Sequence, residues 1–360
     1  MMFVVKRALV PVPVPVYLAV CAFVLAMFGT PLSAGESSAE VRQWFDKMSR
    51  AGQTLSYEGT FMYRRGEQVM TMKIIHVADG QGERERIISL SGPMREIVRD
   101  RKGVAHISAD NKKPIRLDRQ VSARSIQSKT PEQIAQIEKY YTFSMGGDAR
   151  TANRRARVIN IVPKDIYRYG YRVALDHQTG LLLQSELLGE EGVPLEQIIF
   201  ITFGMLDKNR IMALDIAPSP VTDEPASDDV TPLSSDTEET HAASPATLAV
   251  PPGEEEWKIS KVPNGFALVE HNRRMGKSGA MVEHMVFTDG LASVSVFMEK
   301  HTPHDKIPFT GVSRMGAVNA FARRVNDHQV TVVGEVPVAA VRMIGESIQG
   351  MAPISSLKPR

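Results

Sequence analysis

The chain has 360 residues, 43 % of them hydrophobic, and a net charge of +2. That length holds two domains of ordinary size, and that apolar share builds real cores. Lys6 and Arg7 supply the surplus charge; the rest of the chain balances 41 basic against 41 acidic residues, which excludes a strongly basic nucleic-acid binder.

The first segment reads as an export signal. Lys6 and Arg7 precede an apolar run from Ala8 to Phe28, and small residues follow in "GTPLSAGESSAE". Cleavage is expected after Ala34, with Ala39 as the alternative. Prolines 11, 13 and 15 argue against a spanning helix, because they break its first turns. Cys21 is the one cysteine of the sequence and lies inside the apolar run, so residues 35–360 have no disulfide to draw on.

Residues 35–212 open with a helix. Val41, Trp44, Phe45 and Met48 repeat at helical spacing, and Ser37 or Ser38 is placed to cap it. The period then changes to two. "LSYEGTFMYRRGEQVMTMKIIHV" predicts a hairpin turning near Arg65 and Gly66, and "ERERIISLSG", "REIVRD" and "GVAHIS" continue the meander. Thr130, Pro131 and Glu132 announce a short helix. "RARVINIVP", "YRYGYRVALD" and "LEQIIFITF" predict three further strands, and "LLLQSELL" lies between the last two, after the turn "DHQTG". A wide antiparallel sheet with few helices leaves apolar face over, and so room for a ligand groove.

Residues 213–256 carry seven prolines and 11 acidic residues with no Lys or Arg, and their composition predicts a flexible linker. The flanking parts are basic, about +6 for 35–212 and +5 for 257–360 by count. Residues 257–350 predict a smaller α+β domain of five strands, followed by a helix in "EVPVAAVRMIGESI" and a tail at 351–360. Within it, "VFTDGLASVSVF" reads as a hairpin. With Asp289-Gly290 as a two-residue turn, Phe287 faces Ala292, Met285 faces Val294 and Glu283 faces Val296. The serines 293 and 295 fall on the wetter side.

Catalytic signatures are missing. "GVSRMG" is one residue out of register for a nucleophile elbow, and His301, His304 and Asp305 make at most half a metal site. No cofactor is expected. Two features suit binding. Arg150, Arg154, Arg155 and Arg157 gather at the start of a strand, which would project Arg155 and Arg157 to one face, and clustered guanidinium groups take phosphate or carboxylate. Met70, Met72 and Ile74 share a strand face, where thioethers make an adaptable apolar wall. A solvated strand edge and ordinary core are the alternatives for the two features.

The segments "GTFMYRRG", "RYGYRVALDHQTGLLLQSELL", "PNGF", "VFTDGLASVSVF", "GAVNAF" and "VTVVGEVP" resemble the RseB and MucB family of periplasmic sigma-E regulators. The resemblance spans both domains. It implies an α+β architecture: a large antiparallel half-barrel sheet like that of the lipoprotein carriers LolA and LolB, plus a smaller α+β C-terminal domain. It implies a non-enzymatic Gram-negative periplasmic protein that binds the periplasmic domain of a membrane-bound anti-sigma factor. Such a protein would shield that factor from the site-1 protease and respond to lipid or lipopolysaccharide fragments. A homo-oligomer is possible on this reading, nucleic acid is not a partner, and a lipoprotein or lipid carrier is the alternative. On this expectation the partner lies against both domains, and Arg154, Arg155 and Arg157 take phosphate or acidic side chains.

Overall fold

Val41, Phe45 and Met48 form one buried stripe of helix α1 (Ala34–Thr54), and that stripe presses on a sheet. The coordinates, a computed structural model, describe residues 34–79, 82–100, 103–108, 111–117, 129–214, 256–275, 281–300 and 309–351. The expected signal segment, most of the linker and the His301–Asp305 cluster therefore lie outside the described residues. The helix begins before Ser37 and Ser38, so both fall inside it rather than capping it. The Ala- and Glu-containing stretch ahead of Val41 is itself helix-forming.

The sheet contains β1 (Tyr57–Arg65), β2 (Gln68–Asp79), β3 (Gly82–Ser89), β4 (Arg95–Asp100), β5 (Gly103–Ser108) and β6 (Asn111–Leu117). It is completed by β7 (Tyr141–Thr151), β8 (Arg154–Pro163), β9 (Gly170–Asp176), β10 (Leu182–Leu188) and β11 (Pro194–Met205). The order is β6-β5-β4-β3-β2-β1-β11-β10-β9-β8-β7, antiparallel throughout, and among the described residues the edges β6 and β7 are unjoined. The sheet curls, because the Thr151 hydroxyl at the end of β7 reaches Gln184 Oε1 of β10, three strands away, at 3.3 Å. This is the large open antiparallel sheet expected. Strand β7 was not foreseen: the pair Gly146-Gly147 interrupts its pattern and forms a bulge between Met145 and Asp148.

Helix α2 (Pro131–Ile137) has the capping box its sequence announces. Thr130 Oγ1 accepts from Gln133 N, and Gln133 Oε1 accepts from Thr130 N. Ile134 and Ile137 join the α1 stripe over Ile159, Ile161, Val173 and Leu175. A short helix α3 (Lys208–Ala213), capped by Asp207, carries described chain past residue 212 and covers Ile75 and Val77 through Ile211 and Leu214.

The second domain has a six-stranded antiparallel sheet built of β13 (Ala267–Met275), β14 (Met281–Thr288), β15 (Ser293–Lys300), β16 (Gly311–Met315), β17 (Val318–Val325) and β18 (His328–Gly334). Its order is β13-β14-β15-β18-β17-β16. Helix α4 (Val338–Ser347) packs Ala340, Val341 and Ile344 on one face of it, and β12 (Glu256–Ile259) pairs with β19 (Ile348–Met351) alongside. Arg323 Nε donates to Gly345 O at 2.9 Å, placing a cation at the negative end of α4. Ser313 of the false nucleophile elbow is an ordinary residue of the edge strand β16.

The β14–β15 hairpin keeps the expected division of faces, with burial alternating along β15, but its facing pairs differ by two residues. Phe287 faces Val294, Met285 faces Val296 and Glu283 faces Met298. The turn is Asp289 to Ala292 rather than two residues. Asp289 Oδ1 accepts from the backbone N–H of Leu291 and Ala292 at 2.9 and 2.8 Å, and only Gly290 takes a positive φ, of 100°. Glu283, the misfit of the apolar face, is paired by Arg273 at 2.9 Å and His271 at 2.7 Å.

On the opposite face His284 stacks on Phe297 with ring centroids 4.3 Å apart. Burial, then Arg274 on the neighbouring strand, pulls the His284 pKa down to about 4. A depressed imidazole contributes stability above the ordinary value near 6.5, and that stability is lost as pH falls toward about 4. Chemical denaturation between these limits should show a decline of about 1–2 kcal/mol that is absent in His284→Phe. Parallel pH curves for the two proteins would refute it.

Candidate functional site

The basic cluster sits on the β7–β8 hairpin. Ala152 and Asn153 form its two-residue turn, both with positive φ, 51° and 60°. Arg155 and Arg157 do share a side, and Asp148 across the hairpin takes both, Arg155 Nε at 2.8 Å and Arg157 at 3.4 Å. The arginines, with His177 at 3.2 Å, hold the Asp148 carboxyl below its ordinary range. Arg157 also meets Glu40 of α1 at 3.3 Å, while Arg155 remains exposed.

Arg154 points elsewhere. It grips the buried Asp176 with Nε and one terminal nitrogen, both at 2.9 Å, and its guanidinium lies over the Phe203 ring. Asp176 opens the "DHQTG" turn and also accepts from the Thr179 hydroxyl (2.6 Å) and backbone N–H (2.9 Å). Burial raises its pKa, but Arg154 and Thr179 together bring it below the ordinary value. The turn in turn rests on α1, where Lys47 Nζ donates to His177 O at 2.7 Å and the Cα of Gly180 leaves no room for a Cβ. Met70, Met72 and Ile74 lie on one face of β2 as expected. Ile74 is fully buried, Met72 packs on the cluster of Ile74, Phe61, Leu181 and Phe200, and Met70 is only partly covered. Arg154 and these apolar residues are not brought into one pocket with Arg155 and Arg157.

A third group, which residue-by-residue reading missed, joins the two domains. Arg168, just before β9, has a fully buried side chain. Its Nε donates to Asp289 Oδ2 at 2.6 Å; its terminal nitrogens reach Asp165 and the carbonyl of Asn264. The guanidinium lies 4.9 Å from the ring centroids of both Tyr140 and Phe266. Tyr141 adds a hydroxyl donated to the same Asp289 oxygen at 3.1 Å, and burial followed by that carboxylate pushes the phenol pKa well up. Asp289 is therefore more than the turn residue expected. One oxygen builds the turn, and the other receives the first domain.

The rest of the seam follows from that contact. Gly265 (φ 92°) lies against the Tyr140 ring, where a Cβ would come within 2.3 Å. Leu291 is buried in the first domain's core with Ile137 and Tyr141. Ala317 packs with Tyr169 and Leu187, and Asn319 Nδ2 donates to the Tyr169 hydroxyl at 2.8 Å. Gly316 abuts Arg65, which pairs with Glu196 at 3.1 Å. The segments "PNGF", "VFTDGLASVSVF", "GAVNAF", "RYGYRVALD" and "GTFMYRRG" all meet here. Among the described residues no three His, Cys, Asp or Glu side chains are placed to hold a metal ion.

Two substitutions probe this seam. Asp289→Asn removes the one carboxylate that the second domain gives Arg168 and should cost about 3 kcal/mol. Gly290→Val strains a left-handed residue and brings a Cβ to 3.3 Å from Ile137 across the seam. Each should lower the unfolding midpoint and separate the unfolding of the domains into two calorimetric transitions. One unshifted transition in both variants would show that the seam does not couple the domains.

A family model for the MucB/RseB N-terminal domain matches residues 40–223, and one for the MucB/RseB C-terminal domain matches residues 251–349. The chain is 28 % identical over 322 residues to the sigma factor AlgU regulatory protein MucB of Pseudomonas aeruginosa, covering 87 % of this chain and 92 % of that protein. It is 26 % identical over 329 residues to the sigma-E factor regulatory protein RseB of Escherichia coli K12, covering 90 % and 94 %. Among solved structures, the Pseudomonas aeruginosa MucA/MucB complex superposes with a TM-score of 0.65 at 25 % identity, over 87 % of this chain and 99 % of that one. MucB in complex with MucA(peri) gives 0.62 at 26 % identity, over 87 % and 99 %. The relatives are regulatory binding proteins, not enzymes. With both domain models matched in order along one chain, the protein belongs to the MucB/RseB family of sigma factor regulatory proteins.

Proposed function

We propose that this chain is a periplasmic regulator. It binds the periplasmic part of a membrane-bound anti-sigma factor, shields that factor from site-1 proteolysis and is released by lipid or lipopolysaccharide fragments. The observation that carries the reading is the likeness, across both domains, to MucB in complex with MucA(peri). The basic and apolar pattern of residues 1–34 supports export. Among the described residues no helix is long and apolar enough to cross a membrane.

The basic hairpin supplies the anionic contact in this reading. Arg154 is matched by Asp176 and holds the "DHQTG" turn, so Arg155 and Arg157, whose partners Asp148 and Glu40 are accessible, meet acidic side chains or lipid phosphate. Met70, Met72 and Ile74 supply the apolar wall for an acyl chain. Lipid there competes with the partner by favouring a different setting of the seam, a shift that needs unequal affinity for the two settings.

The test uses the purified chain, the periplasmic segment of the anti-sigma factor and the site-1 protease. The chain should bind the segment and slow its cleavage, and lipopolysaccharide should reverse both effects. Arg155→Ala with Arg157→Ala should weaken binding roughly three- to tenfold and flatten its salt dependence. Failure to bind or protect would overturn the function. Binding unchanged by the double substitution would overturn the role of the hairpin alone.

A further inference from the structure

Arg65 stands directly opposite Glu196 in the register of β1 with β11. Leu187 is opposite Glu196 on β10, and Tyr171 is opposite Leu187 on β9. Directly opposed residues share a sheet face, so the four form one row across neighbouring strands. The second domain lies along this row. Gly316 abuts Arg65, Ala317 packs with Leu187, and Asn319 donates to the Tyr169 hydroxyl at 2.8 Å and to Val336 O at 2.7 Å. Glu335 directly precedes Val336, which places it at this end of the seam.

Charge is poorly matched here. Glu196 is buried, and its two oxygens meet Arg65 Nε at 3.1 Å and the Tyr63 hydroxyl at 3.2 Å. The approach of Arg65 lacks the alignment of a hydrogen bond, which leaves Arg65 Nε and Glu196 Oε1 buried without one. Glu335 makes no ion pair among the described residues. Two carboxylates, one from each domain, thus stand near a single guanidinium. At the Arg168 end of the seam both carboxylates touch the guanidinium; at this end only Glu196 does.

The titratable groups record the crowding. Glu335 is exposed, yet the protein gathered around it, then Glu196, raises its pKa, and Arg65 offsets part of the rise. Tyr171 is raised by burial first, then by Glu335, Asp289 and Glu196. Tyr63 is raised by burial, then by Glu196, with a smaller push from Glu335 against the pull of Arg65. Glu190 and Arg314 lie farther along the seam, beside Tyr169. A carboxyl whose pKa is raised in the joined state stabilises that state below its ordinary value near 4.5, and the contribution is lost as pH rises through the raised value.

We propose that this end of the seam is acid-sensitive: Glu335 takes one proton from solvent and the domains close, and loss of that proton leaves two carboxylates across the seam and lets the domains part. The guanidinium of Arg65 sets where on the pH scale this happens, because it favours the charged form of both carboxyls. A ligand that favours one setting of the seam then binds with a pH dependence that Glu335 imposes. The device stands independently of the regulatory reading above.

Energy transfer between dyes on Gln53→Cys and Ser313→Cys, exposed positions in different domains, tests it in the full Cys21→Ala, His284→Phe chain. The substitution at 284 removes the separate pH dependence assigned to that histidine. With Glu335 present, transfer should be highest in acid and fall as pH rises above the ordinary glutamate range. Glu335→Gln should hold the acid-like transfer at every pH. Arg65→Met keeps a side chain of similar reach, takes away the offsetting cation and should move the fall to higher pH. Transfer that does not change with pH, the same change in Glu335→Gln, a fall toward acid, or a fall that Arg65→Met leaves in place would each overturn the proposal.

Discussion

A buried cation sets the terms for this structure. The Arg168 guanidinium has no access to water, and an isolated charge so placed would be very costly. Its compensation comes from two carboxylates, a carbonyl and three aromatic rings drawn from both domains. Since Asp289 and Asn264 belong to the second domain, the first cannot satisfy Arg168 alone. The close approach of Gly265 to Tyr140, the contact of Gly290 with Ile137 and the hydrogen bond from Asn319 to Tyr169 are the packing that this requirement draws in.

Two turns solve the same problem in the same way. Asp176 and Asp289 each use part of a carboxylate to fix the backbone or hydroxyl of their own turn and the rest to receive an arginine. In each case the arginine ties the turn to another element: Arg154 ties β8 to the β9–β10 turn, and Arg168 ties one domain to the other. Arg154, which looks in the sequence like a ligand contact, is an internal fastening here, as Arg168 is. Arg155 and Arg157 differ, because their carboxylate partners Asp148 and Glu40 are themselves accessible.

Local patterns were legible where local physics decides the outcome. The capping box at Thr130, the turn at Gly66, and the inward set of the β14–β15 hairpin all follow from neighbours in sequence. The alternation along β15 fixes which residues face inward but not which partner each one meets. The turn needed the carboxylate of Asp289 to lengthen it, and the facing pairs moved by two. Strand β7 was hidden by its two glycines, which a bulge tolerates but a periodicity does not reveal. The seam was beyond local reading altogether, since Arg168 and Asp289 are 121 residues apart. Its trace in the sequence is that the family-like segments are largely those that meet there.

Leu291 has a consequence for how the chain becomes a folded molecule. It is a second-domain residue, yet it completes the apolar core beneath α1 and α2 of the first. A chain exported or synthesised from its N-terminus has every strand of the large sheet available by residue 205, but the space that Leu291 fills stays open until the acidic stretch and three further strands have followed. During that interval the first domain is a sheet with an unfinished interior, and its apolar surface is exposed to whatever else shares the compartment. The order of residues along the chain thus makes the second domain the last step in folding the first.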